Sequence, residues 1–245
     1  MKDIFKIYKD KIIRMTDFIK TEYLNIISEY SEDKIIKRAL PLKATENLEK
    51  EKKEVLNKFI YLIFSPSLKK MSEMIDSGII EWSEIAKDVE LEEVAENKEL
   101  IIDFFYQSHE KLYIYKQIKY NLTFDFLMQI YLFFEKEMIS FVENNYTIPS
   151  KCSNLFTVIK ILEKNLNYEV NTDIKKMLDL YRKIINVYKH GYGESFIAIA
   201  DSNPEILNFT EEYEDMSFTF KLDKIKIDEL YTYIVNFLEE LYKKI

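Results

Sequence analysis

Residues that make tight turns are scarce in this chain: three glycines and four prolines in 245 residues. A sandwich or barrel of short strands needs a turn about every 8–12 residues, and this supply falls far short of that. The chain is therefore expected to be mostly α, a helical bundle. Hydrophobic residues make up 47% of it, which excludes a disordered chain, and its length accommodates one large domain or two small ones.

Helical periodicity is visible from the start. Ile4, Ile7, Tyr8, Ile12, Met15, Ile19, Ile26 and Ile27 recur at spacings of three, four and seven, predicting a long amphipathic helix over residues 4–30. Pro41 ends the next segment, a helix is expected from about Thr45 to Phe64, and Ser65-Pro66 opens a third that Gly78 closes. Glu81 to Glu99 is acidic and reads as surface helix. Residues 1–99 are taken as an N-terminal helical region and 100–245 as a second domain. In that domain two long helices are expected to break near Asn121, followed by one from Ser153 to Leu166 and one from Asn171 or Thr172 to His190, with Gly191 in the left-handed capping position. Ser195–Ala200 and Ser217–Leu222 lack a helical period and are expected to pair as a small β-hairpin, and Asp228 opens the last helix.

The N-terminus alternates charged and apolar residues, unlike a signal peptide. The best apolar run, Val55 to Phe64, is broken by Asn57 and Lys58 and falls well short of the roughly 20 residues that cross a bilayer. A cytoplasmic chain with no membrane association is expected. One cysteine and two histidines cannot assemble a Cys/His metal site, and neither metal nor cofactor is expected.

The net charge of −8 disfavours a general nucleic-acid coat, yet charge is unevenly placed. Lys151 to Gly191 holds eight basic residues against four acidic ones, whereas Glu194 to Asp215 holds seven acidic residues and no basic one. At this junction stands L-Y-R-K-I-I-N-V-Y-K-H-G-Y-G, residues 180–193, with the only arginine after Arg38, one of two histidines and two of three glycines.

At about 100° per residue, Lys175, Asp179, Arg182, Asn186, Lys189 and His190 fall on one stripe of the helix ending at His190. Met177, Leu180, Tyr181, Ile184, Val187 and Tyr188 occupy the opposite arc, with Ile174, Leu178 and Ile185 along its edge. A solvated polar face with a cationic C-terminus explains such a stripe without any function. His109, in an aromatic segment, is read as a packing residue.

Asn186-Val187-Tyr188-Lys189-His190, followed by Gly191-Tyr192, resembles the HEPN superfamily, whose members carry R-x(4–6)-H, often with Asn directly after the Arg. The resemblance covers roughly residues 100–245. It implies a metal-independent endoribonuclease, a toxin or antiviral-defence effector, whose RNA cleft forms between two copies of the chain. His190 would be the acid/base, Arg182 would hold the scissile phosphate with Lys189 and Lys183, and Asn186 would orient the reacting groups. Tyr192 would be a modification target, and an antitoxin or other regulatory protein a partner. In this chain Ile185 occupies the position directly before Asn186, and Arg182 gives R-x7-H. That displacement leaves a second reading open, a non-catalytic helical interaction or sensor protein with a degenerate form of the motif.

Overall fold

The computed structural model describes residues 1–31, 34, 98–148, 151–208 and 219–245. Among these it contains six α-helices: α1 (Lys2–Ile27), α2 (Lys98–Asn145), α3 (Leu155–Leu166), α4 (Thr172–His190), α5 (Glu194–Ser202) and α6 (Ile227–Lys244). The mostly α architecture follows from the composition. The segments expected between Pro41 and Glu81 lie outside the described residues.

Contacts divide the chain into two compact units, Met1–Ser28 with Gln117–Ile245, and Glu29–Lys116. The first helix packs with the C-terminal helices, because its apolar face matches theirs. Phe5 meets Phe141 of α2 and Tyr242 of α6, with ring centroids 4.9 and 6.5 Å apart. Tyr23 meets Phe126 at 5.7 Å. Ile12 and Thr16 are wholly buried, and the Thr16 hydroxyl donates to the Ile12 carbonyl at 2.8 Å, so no polar atom is stranded there. Lys9 reaches Glu239 of α6 at 2.6 Å.

The expected break near Asn121 is absent, and α2 runs unbroken for 48 residues. Asn121 costs a helix interior only about 0.7 kcal/mol relative to alanine, and no glycine or proline stands between Lys98 and Asn145. Burial outweighs that cost: Tyr120, Phe124, Leu127, Ile130, Phe134 and Phe141 all lie in the core. Thr123 joins them by donating its hydroxyl to the Lys119 carbonyl at 2.9 Å.

Asn154, one residue beyond the expected Ser153, caps α3 by accepting the Thr157 N–H at 3.0 Å. The helix stops at Asn167, which takes the left-handed conformation (φ 48°, ψ 49°). Asn171 caps α4, accepting the N–H groups of Asp173 and Ile174 at 2.8 and 3.4 Å.

The expected hairpin is corrected. Residues 194–202 form α5, and among the described residues an isolated antiparallel bridge joins Leu207 to Phe220. A short apolar run suits either a strand or a helix, and burial decides. The helix places Ile199 fully in the core with Phe196 and Ala200 against it, leaving Ile197 outside. Phe220 completes the corner, its ring 5.2 Å from that of Phe124.

Candidate functional site

The buried residues of α4 are Ile174, Leu178, Tyr181, Ile184, Ile185 and Val187. Met177 and Leu180, expected at the centre of the apolar side, are only partly buried, so the core contact is turned toward the Ile174–Leu178–Ile185 edge. Ile185 is 3% exposed, so the position directly before Asn186 points into the hydrophobic interior. A cation there would lose its hydration without a partner.

One buried and one partly buried tyrosine hold the helix in this orientation. The Tyr181 hydroxyl donates to the Lys226 carbonyl at 2.8 Å, and burial, reinforced by the nearby Glu229 carboxylate, pushes its pKa well up. The Tyr188 hydroxyl donates to Asp125 Oδ1 at 3.1 Å, and its ring stacks on Phe124 with centroids 4.9 Å apart. Burial and the Asp125 charge push Tyr188 up to about 12.

The polar stripe divides into two parts. In the first, Asp179 gathers the cations. Arg182 donates to Asp179 Oδ1 through Nε at 3.0 Å and Nη2 at 2.7 Å, and Lys183 reaches Oδ2 at 2.9 Å. The Arg182 guanidinium also lies over the Phe156 ring of α3, 5.5 Å from its centroid. Burial alone would raise the Asp179 pKa, but the hydrogen bonds from Lys183 and Arg182, with their charges, outweigh it and hold the carboxyl below its ordinary value. Lys175 is likewise engaged, with Glu163 at 3.0 Å and Glu169 at 3.2 Å.

The second part is the open end. Asn186 is half-buried, while Lys189 and His190 are exposed and have no hydrogen-bond or ion-pair partner among the described residues. Eight residues of helix separate Arg182 from His190, about 12 Å along the axis. The structure therefore groups Asn186, Lys189 and His190 at one end, and draws Arg182 and Lys183 toward Asp179 and α3.

Gly191 ends the helix at φ 73° and ψ −146°, a positive φ without the left-handed ψ expected for it, and its N–H returns to the Val187 carbonyl at 2.7 Å. Tyr192 beyond it is 58% exposed, set edge-on against Phe196 at 4.6 Å. His109 lies within α2, and its side chain is outside the described residues.

Comparison with known proteins gives no significant match to a family model, a curated protein or a solved structure. The site thus stands on its own geometry.

Asp179, Phe156 and Asp125 were not singled out in the sequence as site residues. Asp179 was legible as a counter-ion, since it stands three and four residues before Arg182 and Lys183, the spacings at which helical side chains meet. Phe156 and Asp125 come from other helices, and no local spacing announces them. Among the described residues no cluster of His, Cys, Asp and Glu is arranged to hold a metal ion. Among the described residues, too, no helix is long and apolar enough to cross a membrane. A cleft of about 740 Å³ lies where the end of α1 meets the start of α6, lined by Tyr23, Lys226, Asp228, Glu229 and Tyr233 among others, and none of the expected site residues borders it.

Proposed function

We propose that this chain is a helical interaction protein whose α4 carries a degenerate, non-catalytic form of the HEPN-like stripe. The observation that supports this reading is the commitment of Arg182. Its Nε and Nη2 are engaged by Asp179 and its guanidinium lies over the Phe156 ring, 5.5 Å from the centroid. Holding a phosphate beside His190 would require breaking that pair and also spanning about two turns of helix. The burial of Ile185 removes the alternative place for an arginine.

A second reading, an endoribonuclease of toxin or phage-defence type acting as a homodimer, is favoured by one specific observation: Lys189 and His190 are exposed at the end of α4 and have no partner among the described residues. An imidazole there can move a proton near neutral pH, with Lys189 as the cation available to RNA and Asn186 beside it to orient the reacting groups, while Lys183 would first have to leave Asp179. This reading needs no cofactor. It leaves Tyr192 as a surface group that a modifying or antitoxin-like regulatory protein can reach.

One experiment separates the two. Purified protein is incubated with tRNA, rRNA and mRNA in EDTA, alongside His190→Ala. Intact RNA in both supports the interaction protein, whereas cleavage by the wild type that is lost in His190→Ala overturns it in favour of the nuclease.

A further inference from the structure

We draw no further inference here: the strongest candidate, the cleft of about 740 Å³ between the end of α1 and the start of α6, mixes the cation of Lys226 with the carboxylates of Asp228 and Glu229 in its lining, and no buried, unpartnered side-chain polar group among the described residues borders it to select one class of ligand.

Discussion

Asp179 accepts two hydrogen bonds from Arg182, at 3.0 and 2.7 Å, within one turn of the same helix, and this pair decides which way the chain's last arginine points. Asp179→Asn keeps the shape and removes the charge that both Arg182 and Lys183 use. Because the Asp179 pKa is depressed in the folded protein, its contribution to stability is present above the ordinary value of 3.8 and disappears as pH falls through the lower folded value. Denaturant unfolding at neutral pH is expected to show Asp179→Asn less stable by at most about 1 kcal/mol, since the pair is partly solvated. As pH falls through that lower value the difference from wild type is expected to close.

His190 is exposed and has no partner among the described residues, so His190→Ala is expected to leave stability within about 0.5 kcal/mol of wild type, a change in Tm of no more than about 2 °C. Calorimetry checks this directly. The result makes the RNA experiment interpretable, because any lost cleavage then belongs to chemistry and not to unfolding.

Tyr188 carries a ring contact and a hydrogen bond that substitution separates. Tyr188→Phe retains the stack on Phe124 and loses the bond to Asp125, at an expected cost of about 1 kcal/mol and about 3 °C in Tm. Burial also pushes both Tyr120 and Tyr188 up to about 12. A raised folded pKa gives stability that is complete below the ordinary value of 10.0 and is lost as pH rises toward 12. Alkaline unfolding followed by phenolate absorbance is expected to begin in that interval, and to begin later in Tyr188→Phe than its lower neutral-pH stability alone would give.

Gly191 holds φ 73° with open space where a Cβ would project, so only the backbone opposes a side chain there. Gly191→Ala is expected to cost about 1–3 kcal/mol through strain, whereas Gly193→Ala, at an extended φ of −166° and equally open, is expected to cost less. Paired thermal melts of the two variants test the difference.

How far the fold could be read from residues alone depended on whether local signals agreed. For α4 they did: Asn171 at the start, an apolar side of helical period and Gly191 at the end predict the observed limits within a residue. For residues 194–202 the apolar run carried no period, and only packing against the rest of the fold, with Ile199 fully buried, selects a helix. The continuity of α2 was hidden in the same way, since the polarity of Asn121 is visible in the sequence and the burial of Tyr120 and Phe124 is not. The stripe itself was legible as a set of angles. Reading all of its side chains as facing a ligand overlooked that oppositely charged residues three and four apart on a helix turn toward each other first, as Asp179, Arg182 and Lys183 do.

Cys152 has a practical consequence. It is the chain's single thiol, 8% exposed, with its own N–H donating to Glu143 Oε1 at 3.1 Å, and burial together with the Glu143 charge pushes its pKa above the ordinary thiol value. A thiol that is both covered and reluctant to ionise reacts slowly with alkylating reagents. A spin label or fluorophore attached to a cysteine introduced at an exposed position, such as Tyr192 or Ile197, would therefore report from that position alone, with the native residue left in place.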